Sequence, residues 1–467
     1  MDVLGVIASL ILLIFIAYRG FSVILFAPVI AIAVAMLQGL PAMPAYTELF
    51  MTKAAIYVKL FFPIFMLGAI FGKVMDDTLL AKGISHTIIE RLGHKHAILA
   101  VVLSCAILTY GGVSLFVVVF AVYPFAAALF REAGIPKRLI PGCITLGGFT
   151  FTMDAFPGTP QIQNLIPTNF YGTTAYAAPV LGLFGGTCIF IIGMIWLEYR
   201  KKTAMARGEG YGNHTVNEHT GEIDLETLPG WYMGVLPLVV VLILNFVLSR
   251  LFTWSPALLE PLAGMKLPLM TPAVDKVIST WALLIALTAG ILLATVLGRR
   301  NLKRPGGLQA ALNAGAIGSL LAIMNTASEV GYGNVIATLP GFQSVAHFLM
   351  GIKLGGTPLM SEAVSVGALA GITGSASGGM SIALDLMSKD WLSWANTVGL
   401  PIPVLHRIAA MASGGFDTLP HNGAIITMLA VCGLTHRQAY KDVGAITVIK
   451  TLMVFVTILF YSVTGLY

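Results

Sequence analysis

Long apolar runs follow one another along almost the whole chain, separated by short polar stretches. A run of about 18 apolar residues is long enough to cross a bilayer as a helix. By that measure, spans are predicted near 3–18, 21–39, 55–75, 138–153, 173–197, 231–251, 277–298, 312–338, 403–416 running on past 420, and 444–466. The first run has no basic leader and no small-residue cleavage site, so it is expected to stay as a helix. Two further stretches, 97–131 and 357–398, are apolar but carry glycine-rich polar centres. These are Tyr110-Gly111-Gly112-Val113-Ser114 and the run from Thr373 through Ser375, Ser377, Gly378 and Gly379 to Ser381. Both read as re-entrant hairpins that turn back part-way.

Two helices are expected to be discontinuous. The segment FTMDAFPGTPQIQN, 151–164, and the shorter DTLPHN, 417–422, place carboxylates, prolines and amides inside apolar surroundings. Pro157 and Pro160 have no amide donor, so a helix must open there. Open backbone at that depth is tolerated only where it is buried in protein or lines a wet cavity. The half-helix that restarts after such a break offers free N–H groups and the positive end of its dipole to an anion, and freed carbonyls suit a cation.

Composition agrees with this picture. The 467 residues are 57% hydrophobic and 10% charged, against about a quarter charged in a soluble protein. The mean hydropathy is +0.87. The net charge of +6 raises a nucleic-acid partner as one reading; basic loops kept on the cytoplasmic side of a membrane explain it better. The basic blocks at Arg19, 73–95, 131–138, 200–207, 299–304 and 437–441 share one side only if 97–131 enters and leaves on the same face. Both termini are then outside. The hydrophilic segment 200–230 reads as a cytoplasmic linker between an N-terminal transmembrane half, 1–199, and a C-terminal half, 231–467. His214 and His219 within it have no supporting ligand cluster. Cys105, Cys143, Cys188 and Cys432 are scattered through apolar segments, so packing is their expected role. No cofactor and no metal are expected.

The halves repeat one pattern. Gly111-Gly112, Ile135-Pro136 and Gly147-Gly148-Phe149 recur at Gly378-Gly379, Ile402-Pro403 and Gly414-Gly415-Phe416, all at one offset of 267 residues. Over the 39 aligned positions there are 9 identities, where composition alone gives about 3. With the orientation above, the two copies are inverted, a plan found in secondary transporters whose ligand sits near mid-membrane at the repeat interface. The fold class expected is therefore an all-α polytopic membrane protein with inverted repeats, two re-entrant hairpins and two discontinuous helices.

The site expected from the residues alone comprises two tips and two breaks. The tips contribute Gly111, Gly112, Ser114, Ser375, Ser377 and Gly378, and the breaks Thr159, Gln161, Asn164, His421 and Asn422. Small residues let backbone approach a ligand, although helix packing uses the same residue types. Asp154 and Asp417 are intramembrane carboxylates, which are functional candidates by default. They are expected either to handle a proton or cation or to cap the half-helix that follows. Glu329 joins them as a coupling candidate. Glu362 and Asp385 are further buried acids, with Lys389, Arg407 and His406 as the available partners. No HExxH, GxSxG or Walker pattern occurs, and the Gly-Gly-Phe-Asp run lacks the third glycine of an intramembrane aspartyl protease, so no enzyme is expected.

The Gly-Ser hairpin tip, the break GTPQIQN at Gly158–Asn164 and the repeat from Gly378 to Asn422 together resemble the gluconate permease (gluconate:proton symporter) family of the ion transporter superfamily. The resemblance covers most of the chain. It implies proton symport of a small hydroxylated or oxo carboxylate across a bacterial inner membrane, by an elevator-type movement of a transport domain against a scaffold, often in a homodimer. Where sugar-acid members carry a Pro-Pro-x-Pro-Gly-Pro type of run, this chain has Phe156-Pro-Gly-Thr-Pro-Gln161, so a shorter acid such as 3-hydroxybutyrate fits the range as well as gluconate. A sodium-coupled mono-, di- or tricarboxylate carrier is the alternative; a channel or intramembrane enzyme is a more distant one.

Overall fold

A backbone amide in hydrocarbon must bond within its own segment, and the chain meets that demand with helices throughout its described residues. The computed structural model describes 5, 8–9, 11–13, 15–16, 22–113, 115–214, 228–263, 265, 267, 273–274, 277–303, 307–339, 344, 348–352, 354–420 and 422–467, with the side chains of 116, 120, 263, 303, 372 and 373 set aside. Half of the expected first span, 3–18, falls outside these residues, as do Ser114 and His421.

Among the described residues six helices are long and apolar enough to cross a membrane: Ala42–Asp77, Pro179–Ala206, Trp231–Leu251, Ile278–Leu297, Gly307–Ala337 and His436–Thr464. A further pair, Leu80–Leu92 and His94–Tyr110, is bent by 106° at its junction. The helix over Leu80–Leu92 corrects the reading of 73–95 as a purely basic connection. Its charges are real, but Leu80, Ala81, Ile84, Ser85 and Ile89 recur at helical spacing and are buried.

The helices sort into two layers. In one, Met51–Asp77 packs along Gly307–Ala337, flanked by Val23–Leu37, Ile278–Leu297 and Trp231–Phe246. This layer can be called the framework. The other layer holds the two sequence repeats, each with the same order of elements. In the first copy Ala97–Tyr110 turns through Gly111 and Gly112 into Leu115–Glu132; the short helix Ile140–Gly148 follows, then a wide turn Phe151–Ala155, a non-helical stretch, the helix Ile162–Tyr171 and the long helix Pro179–Ala206. In the second copy Leu359–Thr373 turns through Gly374 and Ser375 into Ala376–Val398; Ile402–Gly415, the turn Phe416–Thr418, the helix Gly423–Val431 and the long helix His436–Thr464 follow. Ala97–Tyr110 has 14 residues and so reaches only about 21 Å, less than the roughly 30 Å of a hydrocarbon core.

Small residues let these segments touch backbone to backbone. A Cβ on Gly147 would overlap Val102 O, and one on Gly379 would overlap the backbone of Ala370 on the opposite hairpin arm. The helix Pro179–Ala206 continues past 199 into the hydrophilic segment. There the Arg138 guanidinium clasps Glu209 at 2.6 and 2.8 Å and holds its carboxyl below the usual glutamate range. Asp442, fully buried, accepts from Arg138 at 3.1 Å and from Arg200 at 2.7 Å. These bonds tie the ends of three helices together.

Candidate functional site

Both expected breaks are present. Helix stops at Gly148 and Gly415 and resumes at Ile162 and Gly423. In the first break Phe156 is extended, and Gly158 takes φ +85° with the Tyr176 ring where a side chain would begin. Only glycine fits that combination.

The first hairpin tip is seated on the first break. Tyr110 OH donates to Pro157 O at 2.8 Å, and Gln161 Nε2 donates to Thr109 O at 2.7 Å and Val113 O at 3.3 Å. A Cβ on Gly112 would lie 2.8 Å from Pro160 Cγ. The second tip is seated on the second break in the same manner, through Asn422 Nδ2 donating to Gly374 O at 2.7 Å. Asn422 Oδ1 meanwhile accepts from the amides of Ala424 and Ile425 at 2.7 and 3.3 Å, capping the helix that restarts there. The capping role considered for Asp417 therefore belongs to Asn422. Asp154 is no cap either, because Gln161 stands at the start of Ile162–Tyr171 and its side chain caps nothing.

Asp154 and Asp417 instead share a cation. Lys450 Nζ, on the long final helix, lies 3.7 Å from Asp154 Oδ2 and 3.1 Å from Asp417 Oδ1, and donates to Phe149 O at 2.7 Å. The three side chains are 2%, 7% and 2% exposed for Asp154, Asp417 and Lys450. Gly414 makes room for the cluster, since a Cβ there would overlap Asp154 Oδ2. One ammonium thus joins the two breaks.

A second buried cation organises the first break from behind. Arg407 donates to Ala177 O at 3.1 and 2.7 Å, to Ala175 O at 3.2 Å and to Asn164 Oδ1 at 2.9 Å. Asn164 Nδ2 donates to Thr159 O at 2.9 Å and Ala175 O at 2.8 Å. With His406 also within 3.3 Å of its oxygen, Asn164 spends its bonding capacity on protein groups. The acids also differ from their expected pairings: Asp385 pairs with Lys53 at 3.2 Å, and Glu362 accepts from Tyr171 OH. His406 bonds Thr173 Oγ1 at 2.6 Å. No ion pair is found for Glu329 among the described residues; its carboxylate lies against Gly378.

Several buried oxygens make no hydrogen bond among the described residues. At the seat of the first tip these are Thr159 Oγ1, in the break that precedes the uncapped helix Ile162–Tyr171, and Thr109 Oγ1, which faces Gly148. In the framework and second tip they are Tyr57 OH and Glu329 Oε2. Lys450, Thr109 and Tyr57 were not read as site residues from the sequence. A lysine in the middle of the final span is the one signal that could have been used.

The architecture, with charge-paired helix breaks inside a multi-pass helical chain, is that of a membrane protein, and the family the chain belongs to makes it a transport protein and not an enzyme. The chain is 49% identical over 477 residues to the uncharacterized transporter YxjC of Bacillus subtilis (strain 168), with 100% of both chains covered, and belongs to the same transporter family. It is a multi-pass protein of the bacterial cytoplasmic (inner) membrane. No family model matches. The fold is similar to that of the Alcanivorax borkumensis YdaH transporter, with a TM-score of 0.55 at 13% identity over 94% of this chain and 96% of that one. It is also similar to Neisseria gonorrhoeae MtrF, of a class of antimetabolite efflux pumps, with a TM-score of 0.50 at 12% identity over 93% and 94%.

Proposed function

We propose that the protein is a secondary transporter that carries a small organic (hydroxy)carboxylate, such as gluconate or 3-hydroxybutyrate, together with a proton. The carrying observation is the first break. An uncapped helix N-terminus, two buried hydroxyls without protein acceptors and a glycine tip lie together there. Such groups are donors in want of an acceptor, and a carboxylate supplies one. Gly111, Gly112, Thr159 and Gln161 would contact the anion, while Asn164 and Arg407 hold the break open from behind.

Charge favours a proton as the companion. Lys450 and Arg407 balance Asp154 and Asp417, so a bound monoanion leaves one uncompensated negative charge in a low-dielectric site. One proton cancels it. Sodium at the breaks is less favoured because the freed carbonyls are already in use: Pro157 O by Tyr110, Thr159 O by Asn164, Ala177 O by Arg407, Thr418 O by Tyr440 and Pro420 O by His436. The matching order of elements supports reading the two repeats as one transport unit; inverted halves, movement of that unit against the framework and a homodimer are part of the same proposal.

Uptake of labelled gluconate and 3-hydroxybutyrate into proteoliposomes, with pH and sodium gradients imposed separately, tests this reading. Acceleration by an inward proton gradient without sodium is expected. Strict sodium dependence moves the assignment to a sodium-coupled carrier, and downhill flux at channel rates untouched by either gradient removes both.

A further inference from the structure

The tip of the second hairpin holds a group that anion binding does not explain. Glu329, on Gly307–Ala337, and Tyr57, on Met51–Asp77, are 5% and 3% exposed, and Glu329 Oε2 and Tyr57 OH make no hydrogen bond among the described residues. Their side chains lie close together, with Ser377, Ser381 and Thr326 around the phenol and Ser375 beside the carboxylate. A Cβ on Gly378 would overlap Glu329 Oε2 and sit 3.1 Å from Ser375 Oγ, so the glycine is what lets the hairpin reach the acid.

The protons of Ser381 and Thr326 point elsewhere. Ser381 donates to Ser377 O at 2.7 Å and Thr326 to Ala322 O at 3.2 Å, while Ser375 Oγ accepts from Gly378 N at 3.1 Å and its hydroxyl bonds the Glu329 carboxylate. The other carboxylate oxygen, Oε2, is left without a hydrogen bond among the described residues. The neighbouring charges do not neutralise it. Lys53, one turn from Tyr57, is paired with Asp385, and Lys73 is paired with Asp76 and Asp77 at the far end of the same helix. Glu48 accepts from Thr47. Lys59 on Met51–Asp77, and Lys389 and Asp390 further along the hairpin arm, form no ion pair with Glu329 among the described residues. A buried carboxylate with a bare oxygen and no ion pair among those residues calls for a proton.

We propose that this oxygen cluster is the coupling-cation site: a proton is taken up on Glu329 Oε2 and donated as a hydrogen bond to Tyr57 or a hairpin serine. The Asp154–Lys450–Asp417 group then sets the charge of the anion site and does not itself carry the proton. The inference rests on the coupled-transport reading above. Its consequence is mechanical. The pocket is walled by two framework helices on one side and the hairpin on the other, so its occupancy changes how well the hairpin seats. A loaded carboxylic acid can donate to Tyr57 or to a hairpin serine, and an empty carboxylate can only accept.

Thermal stability of the purified full-length protein tests this without knowledge of the substrate. Measured across a pH series, in sodium and in choline salts, the wild type is expected to gain stability on loading. Glu329→Gln should lose that dependence while unfolding at the temperature of the loaded wild type, and Tyr57→Phe should shift the midpoint by about tenfold in cation concentration, one pH unit. A dependence on protons assigns the proton; one on sodium assigns the same oxygens to sodium. The dependence persisting unchanged in Glu329→Gln overturns the site. Should that variant not fold, Tyr57→Phe and Ser381→Ala take its place, and unmoved midpoints in both overturn it. In proteoliposomes, Glu329→Gln should keep exchange of labelled 3-hydroxybutyrate but lose gradient-driven accumulation about tenfold or more. Cation dependence at Glu329 without any movement of labelled acid would leave this site standing and remove the carboxylate reading instead.

Discussion

Lys450 sits between two carboxylates drawn from the matching breaks of the two repeats, and none of the three side chains has appreciable access to water. Removing the ammonium leaves charges that neither solvent nor another partner in this cluster can compensate. Lys450→Met is therefore expected to destabilise the protein by about 3–5 kcal/mol. Adding Asp417→Asn to it should recover part of that loss, because the second uncompensated charge goes with the first. Thermal unfolding of the single and double variants in detergent measures both, and equal losses would show that the three groups are not coupled. The two aspartates were legible in the sequence because each stands just before a proline in an otherwise apolar run. Their shared partner was not, since nothing local links positions 154, 417 and 450. Asn164 was legible as a polar group in the first break, and its amide bonds Thr159, Ala175 and Arg407, partners too distant in sequence to foresee.

At the scale of elements, prolines and glycines told most of the story. Pro157 and Pro160 placed the first break and Gly111-Gly112 the first hairpin tip, because backbone geometry at those positions is fixed locally; the second turn falls at Gly374-Ser375, and the repeat-matched Gly378 and Gly379 lie inside the arm that follows. The two breaks nevertheless differ in a way that composition hides. The second is closed by its own side chain, Asn422, which caps Gly423–Val431 and ties the tip through Gly374. The first helix restart has no such cap. Asn422→Ala should cost about 1 kcal/mol and loosen the second tip, read as faster hydrogen exchange over 374–378 with little change over 109–113. Equal exchange at both tips would contradict the pairing of each tip with its own break. Leu80–Leu92 escaped notice because its charges dominate the segment, while only six of its residues are buried.

For the whole molecule, the framework and the repeat layer meet at few polar points, and Lys53 with Asp385 is one of them. If the repeats move as a body, that bridge must break in each cycle. Cysteines at Lys53 and Asp385 joined by a short bifunctional reagent, in a background lacking the four native cysteines, should stop transport while the unjoined pair remains active. Full activity of the joined protein would mean that these two helices stay together throughout. The sequence repeat pointed to two halves, 1–199 and 231–467, whereas the framework takes helices from both; which helices form it depends on contacts between distant segments and was not readable.

The central claim is that the anion site is charge-balanced, so that one monoanion enters with one proton. Simultaneous recording of proton flux and labelled 3-hydroxybutyrate flux in voltage-clamped proteoliposomes tests it directly. The account predicts one proton per anion and a rate indifferent to membrane potential; acid movement without protons, or a flux that follows the potential, would contradict it.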